Sequence, residues 1–128
     1  MKTKQDPRHL RRIRIVKVLY SQKFAKTKQP DLPQRELEVL LNLNKNEDKI
    51  NRIIDQYSTR FSSKKMAKID LCILQLGVYE IVIAKKEPYR VVIDECIELA
   101  KEFGSTKSPN FINGVLGKLV ESSDYEKN

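Results

Sequence analysis

Arg8, Arg11 and Arg12 stand in the first turns of a segment with helical apolar spacing. At about 100° per residue they fall within one arc of the helix surface. Cations at a helix N-terminus oppose the macrodipole, at about 0.3–1 kcal/mol each. That placement makes chemical sense if the arginines meet phosphates, because a guanidinium forks onto phosphate oxygens and stacks on bases. Ordinary solvated surface is the competing reading. His9, the only histidine, lies among them. Nearby arginines would lower its pKa, and no acidic residue is spaced to build a triad with it, so it is read as one more surface contact.

A second group lies near the other end. Ser108-Pro109 is a helix start, with Lys107 before it and Phe111 one turn inside. Free N–H groups at such a start attract anions, and an aromatic edge offers a surface on which an unpaired base stacks. On spacing alone, a core position for Phe111, with the glycines serving tight helix packing, is the favoured reading. Asn110, Asn113, Gly114 and Gly117 share one side of this helix. An interior glycine costs about 1 kcal/mol relative to alanine, so this low-relief face is expected to let another backbone approach closely.

A third group, Asp94, Glu95, Glu98 and Glu102, also shares one side of a helix. It admits three readings: acid–base or metal chemistry, a solvated face, or a docking stripe for a basic protein. Other signs of catalysis are missing. No G-x-x-x-x-G-K, H-E-x-x-H or G-x-S-x-G stretch occurs. Cys72 and Cys96 have no Cys/His cluster around them and sit in apolar helical segments, as buried thiols of a reducing cytosol or, less simply, as a disulfide. The expectation is a protein that is not an enzyme, with no metal and no cofactor.

The elements that must position these groups are helical throughout. The 128 residues, 40% of them hydrophobic, suit one core, read as a single domain 1–128 with a basic arm 1–7 and a frayed tail 123–128. The net charge of +8 is uneven: residues 1–28 hold ten Lys/Arg against Asp6 alone (+9), and the rest hold fifteen against sixteen acids (−1). A basic arm on a neutral body suggests a polyanion partner; a solubilising tail is the plainer alternative. No apolar signal core follows the N-terminus. Met66–Ala84 is the most apolar stretch, but Lys68, Asp70, Gln75 and Glu80 interrupt it, which marks a central core helix rather than a membrane span.

Asp6-Pro7 caps a first helix to about Lys26, with Leu10, Ile13, Val16, Tyr20 and Phe24 inward. Helices over Pro33–Leu43 (Leu37, Leu40, Leu41 inward) and Glu47–Arg60 (Ile50, Ile53, Ile54, Tyr57 and then Phe61) follow. Ser62-Ser63 caps a fourth over Lys64–Lys86. A fifth starts at Pro88 and ends at Phe103, with Val92, Cys96, Leu99, Ala100 and Phe103 inward, before Gly104 in a left-handed stop. The sixth runs to about Ser122.

Three blocks then become recognisable. "RHLRRIRIVKVLYSQ" (Arg8–Gln22), "MAKIDLCILQLGVYEI" (Met66–Ile81) and "PYRVVIDECIELAKEFGSTKSPNFINGVLGKL" (Pro88–Leu119) resemble the NusB family in content, order and separation, over nearly the whole chain. The resemblance implies an all-α fold of about six to seven helices in two packed three-helix bundles. It implies a cytoplasmic transcription antitermination factor that pairs with the ribosomal protein NusE. Together they would bind single-stranded boxA RNA of ribosomal transcripts and act on the RNA polymerase elongation complex, by assembly and without a membrane. Carried over by position, Lys4, Arg8, His9, Arg11, Arg12, Lys107, Ser108 and Phe111 would lie near RNA, and Tyr20, Asp70 and Leu74 would face the partner. Departures from the family pattern stand at Ile13, Lys17, Gln75, Lys107 and Gly117, where glutamate, glutamine, arginine, an acidic residue and aspartate are frequent. NusB-like domains also occur as targeting modules of ribosomal RNA methyltransferases; the expectation is that a chain ending at Asn128 leaves no room for a methyl-donor domain, so that this alternative survives only if the chain is a fragment. A protein-only helical adapter docking through the acidic fifth helix is the other alternative.

Overall fold

The computed structural model describes residues 6–25 and 30–122. Among them are six α-helices: α1 (Pro7–Gln22), α2 (Gln34–Lys45), α3 (Glu47–Tyr57), α4 (Lys68–Val78), α5 (Tyr89–Phe103) and α6 (Ser108–Glu121). No strand occurs among these residues. α4 passes directly into a wider π-helical turn, Tyr79–Ala84, closed by Lys85 in the left-handed region (φ 54°). α4 is the hub. It packs on α1, α3, α5 and α6, while α5 and α6 pair closely and α2 links α1 to α3. Its residues Cys72 to Val78 are all buried, which explains why its apolar residues run almost all the way round.

The caps follow local chemistry. Asp6 accepts a hydrogen bond from the Arg8 backbone N–H at 2.9 Å, and Pro7 takes the first helical position. This bond holds the Asp6 carboxyl below its usual range. The fourth helix starts at Lys68, later than the Ser62-Ser63 cap implies. Ser63 instead binds Asp55, its N–H donating to Oδ1 at 2.6 Å and its hydroxyl to Oδ2 at 3.0 Å. That bond ends α3 and folds Ser62–Met66 into a turn before Lys68. α1 likewise stops at Gln22, ahead of Lys26.

The glycines distribute differently from the sequence expectation. Gly104 is extended (φ −94°, ψ −169°), not left-handed. A Cβ there would lie 2.5 Å from Ser108 Oγ and 2.8 Å from the Ala100 carbonyl oxygen, so the site demands glycine by close approach. Gly114 and Gly117 have nothing within 4 Å of a Cβ position, so the Asn/Gly face of α6 is not a packing face. Close helix packing falls to Gly77, where a Cβ would meet Cys96 Sγ at 2.9 Å and Leu116 Cδ1 at 3.1 Å.

Several apolar residues assigned inward face solvent: Leu10, Tyr20, Phe24, Leu41, Phe61 and Phe103 are exposed. Cys72 and Cys96 are buried free thiols, and burial pushes Cys72 up to about 11. No helix is long and apolar enough to cross a membrane, among the described residues.

Candidate nucleic-acid interface

The arginines of α1 divide into two kinds. Arg12 is buried. Its Nε and Nη2 donate to the two carboxylate oxygens of Glu80 at 2.8 and 2.7 Å, Nη1 donates to Glu95 at 3.2 Å, and Nη2 also meets Glu87. Burial disfavours its charge, but Glu80, Glu87 and Glu95 outweigh that and raise its pKa. Arg12 is therefore a tie between α1, the π turn and α5, not a guanidinium free for phosphate. Arg8 is 60% exposed and only loosely held, Nη1 donating to Glu87 at 3.2 Å. Arg11 is half-buried and has no ion-pair partner among the described residues. Lys4 lies outside the described residues.

His9 is not a surface contact. It is 3% exposed, with Nδ1 3.0 Å from Glu95 and Nε2 against Glu102. Burial pushes its pKa down, but the bonds and charges of Glu102 and Glu95 prevail and hold it above the ordinary value, opposite to the expected lowering. The same contacts dissolve the acidic stripe. Glu95 and Glu102 face α1, Glu98 pairs with Lys101 at 3.2 Å, and Asp94 alone of the four is exposed without a partner among the described residues. No group of three or more metal-ligating residues occurs there either. A docking stripe and a metal or acid–base site both lose their residues.

A cleft of about 630 Å³ opens between the start of α4, the Thr59–Phe61 loop and α6. Lys107 lines it, with Arg60, Lys65 and Lys118 from three other segments; Asp70 is its one acidic residue. Phe61 and Phe111 also line it, ring centroids 5.9 Å apart and edge to face. Phe61 is 45% exposed and Phe111 half-buried against the core. No side chain caps α6, whose N-terminus lies in the same wall. Four cations and two rings form a surface suited to a single-stranded polyanion with stackable bases; the start of α6 adds little, because the Ser108 N–H donates to the Ser105 carbonyl at 3.1 Å and Pro109 has no N–H. Ser108 is buried, and its hydroxyl accepts from the Ser105 N–H at 2.9 Å. It lines the cleft, but its hydroxyl is held within the loop that presents Lys107.

Arg60, Phe61, Lys65 and Lys118 were missed by sequence reasoning, because nothing along the chain links them. A second, smaller cleft of about 410 Å³ lies between α1, α2 and the π turn. It holds Arg8, Arg11, Arg12, Arg35 and Lys86, but also four glutamates, so its field is nearly neutralised. Of these two clefts, the one at α6 is the more positive.

The three residues assigned to a protein partner are not all at the surface. Leu74 is fully buried, inside the core, and so cannot be a surface contact. Tyr20 is 40% exposed and stacks edge-on against Phe24, centroids 4.9 Å apart. Asp70 is buried at the cleft wall, and its Oδ1 has no hydrogen-bond partner. Gln75, where the family often has arginine, is buried and accepts from Lys23 Nζ at 2.9 Å while donating to Asn51 at 3.0 Å.

An all-helical body carrying an aromatic, cation-lined cleft defines a candidate RNA-binding factor, and comparison with known proteins makes the class specific. The NusB family model matches residues 9–121. The transcription antitermination protein NusB of Alkaliphilus oremlandii is 50% identical over 84 residues, covering 66% of this chain and 58% of that protein. That of Streptomyces coelicolor is 39% identical over 95 residues, covering 74% and 67%. Thermotoga maritima NusB superposes over 100% of both chains at a TM-score of 0.81 and 26% identity. A NusB in a crystal structure with NusE and double-stranded RNA matches at a TM-score of 0.70, covering 88% of this chain and 96% of that one, at 20% identity, which supports the fold. The chain belongs to the NusB family.

Proposed function

We propose that this protein is a transcription antitermination factor that binds boxA-type single-stranded RNA together with a NusE-like ribosomal protein. It would work in the cytoplasm by assembly, without catalysis. The observation that carries the reading is the single cleft in which Lys107, Arg60, Lys65 and Lys118 surround Phe61 and Phe111 at an uncapped helix start. Phosphates meet the cations, and bases stack on the rings. Arg8 and Arg11 offer further cations on α1, in the second cleft, where four glutamates offset most of the charge. The relatives above are antitermination proteins, which favours this reading over a methyltransferase targeting module. The pairing of Glu95 and Glu102 with α1 counts against a protein-only adapter.

The test is the affinity for a labelled boxA-like RNA, its scrambled control and a duplex form, with and without a NusE-like protein. Preference for single-stranded boxA, strengthened by the partner, is expected. Equal, weak binding to all three RNAs, unchanged by the partner, would overturn the reading.

A further inference from the structure

His9 is a buried imidazole with a carboxylate at each ring nitrogen: Glu95 at 3.0 Å from Nδ1 and Glu102 against Nε2. Ionised carboxylates only accept hydrogen bonds, and a neutral imidazole has one donor. Both contacts are satisfied together only when both nitrogens carry protons. The groups around it support that state. Glu95 and Glu102 face it from α5, Arg12 lies beside it on α1 and shares Glu95, and Asp6 caps the turn that carries it. Glu80 and Glu87 stand behind Arg12 and neutralise that guanidinium. His9 also sits between Arg8 and Arg11, the two α1 arginines that remain available to a ligand.

We propose that His9, as an imidazolium bonded at both ring nitrogens, is a positioning residue. It clamps the first turn of α1 against α5 and so holds Arg8 and Arg11 in place for RNA. The inference rests on the RNA-binding reading above. His9 itself is covered and touches no ligand. On deprotonation one nitrogen becomes a lone pair facing a carboxylate, that contact turns repulsive, and the turn loosens. The folded-state pKa lies above the unfolded value of about 6.5. The clamp is therefore complete below about pH 6.5 and is lost as pH rises through the folded-state value.

The experiment uses the full chain, a boxA-like RNA and buffers from pH 6 to 9, with wild type, His9→Gln and Glu102→Ala. Because the chain has one histidine, the imidazole resonances follow His9 without ambiguity. Wild-type affinity is expected to fall at least about fivefold, the low end of typical site-to-site coupling, at the pH where His9 titrates. Both variants should bind at the weak level at every pH. Glu102→Ala separates positioning from simple electrostatics, since removing a negative charge from an RNA-binding protein would otherwise tighten binding. Binding by Glu102→Ala as tight as wild type or tighter, parallel pH profiles, or a fall in affinity away from the His9 midpoint would each overturn the proposal while leaving the RNA reading intact. Failure of wild type to bind RNA at pH 6 would overturn both.

Discussion

Arg12 and Glu80, 68 residues apart in sequence, meet in a two-pronged ion pair of 2.8 and 2.7 Å that fastens α1 to the π turn after α4. Glu95 and Glu87 complete the cage. Removing one member of a buried ionic cluster leaves uncompensated charge, at about 3–5 kcal/mol. Arg12→Ala should therefore lower the urea midpoint sharply, whereas Arg8→Ala and Arg11→Ala should stay within about 0.5 kcal/mol of wild type. Equilibrium unfolding of the three single variants checks this. A combined Arg8/Arg11/Arg12 variant would confuse unfolding with lost binding.

Glu87 bridges the buried Arg12 and the exposed Arg8. A phosphate that takes Arg8 must displace it from that carboxylate. Glu87→Gln should therefore bind RNA more tightly at low salt than wild type, with Arg12 still held by Glu80 and Glu95. Fluorescence titration at two salt concentrations measures it; unchanged or weaker affinity would show that Arg8 is not released on binding.

The glycines of the last loop and helix should respond in opposite directions. Gly104→Ala forces a Cβ into Ser108 and the Ala100 carbonyl, and overpacking of this kind costs about 1–3 kcal/mol. Gly117→Ala meets nothing and should stabilise α6 by about 0.5–1 kcal/mol through helix propensity alone. Thermal unfolding of the two variants gives both signs.

Arg14 and Glu36 join α1 to α2 through contacts of 2.5 and 2.9 Å. The bond from Arg14 holds the Glu36 carboxyl below its ordinary value of 4.5. Its contribution to stability is complete above about pH 4.5 and disappears as pH falls through the lower folded-state value. Glu36→Gln should thus narrow the stability gap to wild type as pH drops from 6 to 3, a trend that denaturant midpoints will reveal.

The helices were legible because capping and periodicity are local. Asp6-Pro7 starts α1 as the sequence indicates, and Val16, Ile50, Ile54, Val92 and Leu99 are buried where their spacing put them. What spacing could not give was the partner across the fold. His9 and Arg12 read as surface cations because Glu80, Glu95 and Glu102, which bury and pair them, lie 68 to 93 residues away. Leu74 looked available because one face of a helix hub resembles any other. The cleft escaped for the same reason: Arg60, Lys65 and Lys118 converge only after α3, α4 and α6 have packed. Lys107 and Phe111 were legible as candidates because the Ser108-Pro109 helix start beside them is a local signal.

The most direct measurement of the central claim is the salt dependence of boxA RNA affinity for wild type, Lys65→Ala, Lys107→Ala and Lys118→Ala, beside Phe61→Ala. Each lysine that meets a phosphate should lower the slope of log affinity against log salt by about 0.7 for a single strand. Phe61→Ala should weaken binding by about 1–3 kcal/mol with the slope unchanged, the signature of a lost stacking platform. Unaltered slopes and affinities across all four variants, with wild type still bound, would contradict the placement of RNA in this cleft.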